Sequence, residues 1–252
     1  MTGDMNETVE KLRKGYEKLK SGGFQTSEVF DYGKELGTSG ELDFHFELIL
    51  EDGKRPRGKR WHPEDFFRLH GNAGAEYLKR LLDSDDCEYA VCAAYLLAEL
   101  LPRARFQDQA ELLDKLNRAL VRLSDANEPE HRRKSLIAFG WVGTENELPT
   151  LETHLLNDPD PLCRAWSASS FLQMSGRVPD DALKKTSGAL IACLESESDV
   201  FVRGVAVEAV QDVWKVRFGL RSSAVEERNQ RAVDRAVRRA LEFLKTEARK
   251  EV

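Results

Sequence analysis

Two octapeptides, Asp160-Pro-Leu-Cys-Arg164-Ala-Trp-Ser167 and Asp199-Val-Phe-Val-Arg203-Gly-Val-Ala206, share one pattern: an acid, an arginine four residues on, and a small residue three further. An acid that opens an apolar run suits a helix N-cap, because its oxygens accept from free N–H groups at the positive end of the helix dipole. Outward from these two, Glu128 and Asp85 head similar runs. The four acids Asp85, Glu128, Asp160 and Asp199 stand 43, 32 and 39 residues apart, in the range of helix-pair repeats. Pro129 and Pro161 follow two of them, at the first helical position, where a missing N–H does no harm.

Counted from each acid, the seventh residue is small in every run: Cys92, Ser135, Ser167 and Ala206. The eighth residues are Ala93, Leu136, Ala168 and Val207, and the eleventh are Leu96, Phe139, Phe171 and Val210. At roughly 100° per residue these positions share one face and predict a buried stripe, with small residues where helices approach. The fourth residues are Tyr89, Arg132, Arg164 and Arg203. Apolar segments at 75–82, 110–123, 148–156 and 182–194 precede the four runs, which makes four helix pairs. The order of acid, arginine, small residue and bulky apolar residue resembles the HEAT or HEAT-like repeat. The resemblance covers roughly residues 72–220, is good in the last two pairs, and is weakest in the first, where Tyr89 replaces the arginine. It implies an all-α solenoid. It also implies arginines that bond acidic groups of adjacent repeat loops, a role carried over to Arg132, Arg164 and Arg203.

The 252 residues are 41% hydrophobic and 33% charged, with 8 Pro and 17 Gly, a balance that fits the disordered, collagen-like and membrane classes badly. A net charge of −6 argues against a general affinity for nucleic acid or anionic lipid and leaves room for local basic patches. The polar, acidic start at 1–10 lacks the features of a secretory signal. The longest apolar stretch, 89–101, is interrupted by Glu99 and falls short of the ~20 residues that span a bilayer. Cys87, Cys92, Cys163 and Cys193 have no ligand spacing and read as small core residues. The expectation is a cytoplasmic, reduced protein with no cofactor, no metal and no membrane contact.

The whole chain then divides into an N-terminal extension at 1–71, repeats at 72–220 and a C-terminal capping helix at 221–252. In the extension, 6–20 and 27–36 read as helices separated by Gly22-Gly23. Leu42, Phe44, Phe46, Leu48 and Leu50 alternate with Asp43, His45 and Glu47 in a strand-like manner that leaves a short helix open, and a further helix starts at Pro63. At the other end, Ser223 and Glu226 form a capping-box pattern ahead of Val225, Ala232, Val233, Ala236, Val237, Leu241 and Leu244 at helical spacing. Arg228, Arg231, Arg235, Arg238 and Arg239 fill the other faces and read as solvated, with an acidic partner as the alternative.

Gly53-Lys-Arg-Pro-Arg-Gly58-Lys59 meets the skeleton of a phosphate-binding loop, but Arg60 stands where Ser or Thr would hold magnesium and Pro56 removes a donor. The stretch reads as an exposed basic loop, with Lys54, Arg55, Arg57, Lys59 and Arg60 solvated and Trp61 as an anchor; contact with nucleic acid or an acidic protein is the second reading. His62, Asp65 and His70 lack the paired spacing and second shell of a metal site. No catalytic constellation is evident, so the chain does not read as an enzyme.

The informative face lies opposite the buried stripe, at positions six, nine and thirteen, which fall within about 60° of one another. Its residues are Val91, Ala94 and Ala98; Lys134, Ile137 and Trp141; Trp166, Ser169 and Gln173; and Val205, Glu208 and Asp212. In the family that face lines a groove, so Val91, Lys134, Ile137, Trp141, Trp166, Val205, Glu208 and Asp212 are candidate partner-binding residues for another protein or peptide. The competing account makes Trp141 and Trp166 ordinary core, or has the N-terminal extension at 1–71 fold into the groove. An inhibitor or immunity-type protein is the narrower form of the binding reading. The alternative is a DNA-binding or repair protein resembling HEAT-like alkylation-repair glycosylases, which needs more cations than Lys134 supplies.

Overall fold

In the computed structural model the described residues are 2–23, 25–103 and 108–249, and they are helical, with one isolated bridge between Ser175 and Val178. The chain forms two compact units, Met1–Leu81 and Leu82–Val252.

The first unit contains α1 (Thr2–Ser21), α2 (Thr26–Thr38), α3 (Leu42–Gly53), α4 (Glu64–Phe67) and α5 (Gly71–Leu81). Its core gathers Leu12, Tyr16, Tyr32, Leu36, Phe44 and Leu48 around Trp61, whose ring lies 6.1 Å from Tyr16 and 5.8 Å from Tyr32. Residues 42–50 are helix, not strand. Phe44, His45, Phe46, Leu48, Ile49 and Asp52 are all buried, so α3 is enclosed around most of its circumference. A helix apolar that far round imitates alternation when read two residues at a time. The segment 75–82, read as the first helix of the first pair, falls mostly in α5 and groups with this unit.

The second unit contains α6 (Cys87–Leu100), α7 (Gln109–Ser124), α8 (Pro129–Val142), α9 (Leu148–Asn157), α10 (Pro161–Met174), α11 (Asp180–Lys184), α12 (Ser187–Ser196), α13 (Val200–Val213), α14 (Ser222–Glu226) and α15 (Gln230–Ala248). The helix read over 182–194 is broken at Thr186, a buried residue whose hydroxyl donates to the Leu183 carbonyl. Second helices pack in succession, α6 on α8, α8 on α10 and α10 on α13, and each of α7, α9 and α12 packs on the second helix that follows it. The stripe of small and bulky residues is buried throughout, with Phe139 and Phe171 fully enclosed. Burying such a side chain contributes about 1.5–3 kcal/mol. Small residues bring α8 and α10 close enough for the Ser170 hydroxyl to donate to the Leu136 carbonyl at 2.6 Å.

The C-terminal segment differs from a single capping helix. Ser223 lies inside α14 and caps nothing, while α15 starts seven residues later and is capped by Asn229, whose side chain accepts from Ala232 N–H. Arg228, at φ 51°, makes the reversal between the two. α15 then packs on α12 and α13, as a further first helix would, and buries Val233, Ala236, Val237, Ala240 and Leu244.

Between pairs runs a ladder of arginines and acids. Arg132 donates to both carboxylate oxygens of Asp158 at 2.9 Å and to the Ala126 and Asn127 carbonyls. Arg164 donates to Glu197 at 2.5 and 3.1 Å and to the Asp158 and Pro159 carbonyls. Arg203 donates to Asp234 of α15 at 2.8 Å. The Arg132 and Arg164 guanidinium groups thus tie their own loops to an acid after the next helix, whereas Arg203 bonds the acid alone and its Nε is buried without a partner among the described residues. The acids are fixed in turn: Asp158 accepts from Asp160 N–H, and Glu197 from Ser198 and Asp199 N–H. Burial would raise the Asp158 carboxyl, but its bonds from Arg132, Asp160 N–H and His154 outweigh that and hold it below its ordinary value.

The Arg132 and Asp158 side chains are 10% and 1% exposed, so solvent barely screens this pair. Asp158→Ala leaves a buried guanidinium uncompensated and is expected to cost about 3–5 kcal/mol in urea unfolding. Lys245→Ala, which removes the half-exposed pair with Glu195, should cost less than about 1 kcal/mol. Because the folded Asp158 carboxyl is depressed, its contribution is complete above the unfolded carboxyl value and is lost as pH falls through the folded one.

Candidate protein-interaction face

The N-caps decide which residues reach the exposed face. Asp160 caps α10 by accepting from Cys163 N–H, and Asp199 caps α13 by accepting from Phe201 and Val202 N–H. Glu128 holds the cap position of α8 without a side-chain bond. In α6 the cap is Asp86, which accepts from Glu88 and Tyr89 N–H, and not Asp85. One residue of slip turns a helix by about 100°. Val91, Ala94 and Ala98 are consequently buried, and Val91 at 1% exposure presents nothing to a partner. Positions nine and thirteen of α6 are instead Tyr95 and Glu99, both partly exposed, and Tyr95 meets the Trp141 ring edge-on at 5.0 Å. The stripe remained buried despite the slip because α6 is enclosed on almost every side.

On the other helices Lys134, Ile137, Trp141, Trp166, Ser169, Gln173, Glu208 and Asp212 are partly exposed, and Val205 is buried at 8%. Neither tryptophan is sealed inside. Trp141 stands between two hollows. One, of about 370 Å³, is lined by Glu99, Pro102, Arg103, Gly140, Gln173 and Arg177. The other, of about 360 Å³, is mostly apolar, with Leu101, Leu113, Val142 and Val178 among its walls. The Arg177 guanidinium is held at this junction by the Gly140 and Gly143 carbonyls at 3.0 and 3.1 Å. Trp166 lines a third hollow of about 180 Å³ with Ser169, Val205, Glu208 and three residues of α14.

α14 explains the burial of Val205. It lies against α13, and a Cβ on Gly204 would come 2.7 Å from Val225, so only glycine admits this approach. Arg228 adds an ion pair to Asp199 at 3.5 Å and lies 5.6 Å above the Phe201 ring. Part of the expected face on α13 is therefore occupied by the chain's own C-terminal segment. Nothing in the 3.6-residue periodicity marked this, although Gly204 between Arg203 and Val205 was the available signal.

Comparisons with known proteins agree with this arrangement of helices. Residues 75–171 match the family model for HEAT repeats. Over that span the chain is similar to HEAT repeats, a class whose members are generally protein-interaction scaffolds and typically non-enzymatic. A crystal structure of an engineered protein, a target of the Northeast Structural Genomics Consortium, aligns at TM-score 0.50 and 19% identity, covering 82% of this chain and 90% of that one, and shows the same fold. Comparison with curated proteins gave no match.

The remaining groups singled out in the sequence have structural partners. The basic loop folds on itself: Arg60 donates to the Arg55 and Gly53 carbonyls, and Arg55 donates to Tyr16 Oη and Glu51. Arg55 and Arg60 are thus not solvated, whereas Lys54 and Lys59 are exposed and the Arg57 side chain lies outside the described residues. Trp61 is buried, and buried Asp52 accepts from Trp61 and His62 N–H. Cys92, Cys163 and Cys193 are buried, but Cys87 is exposed, 3.5 Å from His131 Nδ1. Burial pushes the Cys163 and Cys193 thiols up to about 12, so both stay protonated at neutral pH. No described helix is long and apolar enough to cross a membrane, and no three described His, Cys, Asp or Glu side chains are placed to hold a metal.

His70 pairs with His45, 2.9 Å away, rather than with His62 or Asp65. His45 Nε2 lies 3.0 Å from the Pro63 carbonyl, to which it donates, so its Nδ1 accepts from His70. Burial draws His45 down to about 3, opposed by the Pro63 bond and helped by His70, and burial lowers His70 as well. The unfolded ring titrates near 6.5, so between these values the unfolded chain binds more protons. Stability from the neutral ring is complete above about pH 6.5 and declines as pH falls toward 3. Urea midpoints measured down to about pH 4 should show this decline. His45→Gln, which can donate to Pro63 and accept from His70, should flatten it; an equally steep decline in that variant would contradict the assignment.

Proposed function

We propose that the second unit is a non-catalytic scaffold that binds a protein or peptide across the exposed face of α8, α10 and α13. The observation that carries this reading is the placement of Trp141 and Trp166. Each is partly exposed, on consecutive second helices, beside a hollow deep enough to take a side chain. Tryptophan supplies a large rigid area at modest entropic cost, and it is enriched among residues that dominate binding energy. Ile137 and Tyr95 extend the apolar centre, and Glu208 and Asp212 place negative charge on α13. With a net charge of −6, this arrangement favours a partner segment bearing basic residues, as an inhibitor or immunity-type protein would require.

DNA held against the same face is the weaker reading. Lys134 is the one cation among the face positions, and two nearby cations are engaged: Arg103 with Glu99, Arg177 with backbone carbonyls. Neutralising several phosphates needs more unpaired charge than this.

Affinity capture from the native cell lysate, with partners identified by mass spectrometry, tests the proposal. Truncating a central tryptophan costs about 2 kcal/mol or more, so Trp166→Ala should weaken partner affinity about 30-fold. Glu208→Lys with Asp212→Lys, both surface changes, should also release a basic partner while leaving thermal unfolding within about 1 kcal/mol of wild type. Undiminished capture by both variants would remove this face from consideration.

A further inference from the structure

The outer face of α15 carries a cationic stripe that the fold uses only in part. Residues 217–249 hold nine basic and five acidic side chains, a local excess of four positive charges in a chain whose net charge is −6. With Val233, Val237, Ala240 and Leu244 turned inward, Arg231, Arg235, Arg238 and Arg239 fall on the opposite side within about 100°. All four are exposed. Arg239 donates to the Phe218 carbonyl at 3.0 Å, and Arg238 acts on Asp234, which is already bonded to Arg203 and Gln230. Among the described residues Arg231 and Arg235 have no acid within 4 Å.

This arrangement works against the helix that bears it. Arg231 is the second residue of α15, at the positive end of the dipole, and the first turn contains no acid. Arg231 and Arg235, and Arg235 and Arg239, are like charges four residues apart, a spacing that repels. A helix selected only to close the array would carry acids early and mixed signs along its outer side.

We infer that the Arg231–Arg235–Arg238 stripe of α15 binds the phosphate backbone of a nucleic-acid duplex without reading its bases. Three features select this occupant. The cations are all arginines, whose planar fork pairs with phosphate in bidentate fashion. The outer face has no apolar side chain to form the dry centre of a protein interface, which is depleted in charge at its core. It also has no aromatic ring on which an unpaired base could stack, which disfavours single strands. Along the helix the three arginines span about 10 Å, enough for consecutive phosphates of one strand. Glu242, one turn beyond Arg238 on the same side, marks the end of the stripe. The inference is independent of the tryptophan face.

Fluorescence anisotropy of the full chain with short labelled DNA duplexes of two unrelated sequences tests it. Similar affinities for both are expected, with a log–log salt slope of about −2.7 from three neutralised phosphates, or roughly a 40-fold loss between 50 and 200 mM salt. Arg231→Glu/Arg235→Glu/Arg238→Glu should abolish binding with an unchanged circular dichroism spectrum, and the corresponding triple lysine variant should retain most of it. No binding at 50 mM salt, binding unaffected by the triple glutamate change, or tighter binding to a polyglutamate peptide than to duplex would each overturn the assignment.

Discussion

The arginine that follows the caps of α8, α10 and α13 sets the distance between one helix pair and the next. Arg132 and Arg164 each bind two backbone carbonyls of their own loop and a carboxylate from the following pair, so one planar group fixes both loop shape and pair spacing. The carboxylates are held by N–H groups at the start of the next second helix, which makes consecutive joints share parts. Hydrophobic burial supplies most of the stability of such an array, but it is non-directional. The guanidinium contacts add direction: they orient α8, α10 and α13 so that their partly exposed positions lie side by side.

That dependence explains which features could be read from the amino acids. The buried stripe was legible because it follows from short-range spacing on a regular helix, while the role of the three arginines came with the resemblance to HEAT-like repeats and their partners Asp158, Glu197 and Asp234 only with the structure. The cap of α6 was not, since Asp85 and Asp86 stand together and no proline marks the first helical residue, as Pro129 and Pro161 do elsewhere. Choosing between adjacent acids needs the backbone, and the choice moved Tyr95 and Glu99 onto the exposed face in place of Val91. Residues 42–50 misled for a related reason: Ile49 and His45 are both buried, so the apolar side is wide enough to imitate alternation, and the helical period shows only in the exposed Asp43, Glu47 and Glu51, four residues apart.

The candidate site was legible on α8 and α10 and only partly on α13. Trp141 and Trp166 stand beside hollows, but Val205 is covered by α14, a contact between residues about 20 positions apart that depends on the missing side chain of Gly204. Long-range cover of this kind leaves no repeat signature. It narrows the available face toward its centre, where Tyr95, Ile137 and the two tryptophans lie, and it leaves Glu208 at the edge of the Trp166 hollow.

The position of α15 has one more consequence. It takes the place of a further first helix and offers Asp234 to Arg203, in a joint reduced to one carboxylate bond without the loop-carbonyl contacts of Arg132 and Arg164. An array whose inner joints repeat one pattern, as those of Arg132 and Arg164 do, can change length by whole units. Duplication of the α9–α10 pair would add one Arg132-to-Asp158 type of joint and keep the same terminus, whereas loss of α15 would strip the last arginine of its counterion. Length in this architecture is therefore separable from the contact between α13 and α15.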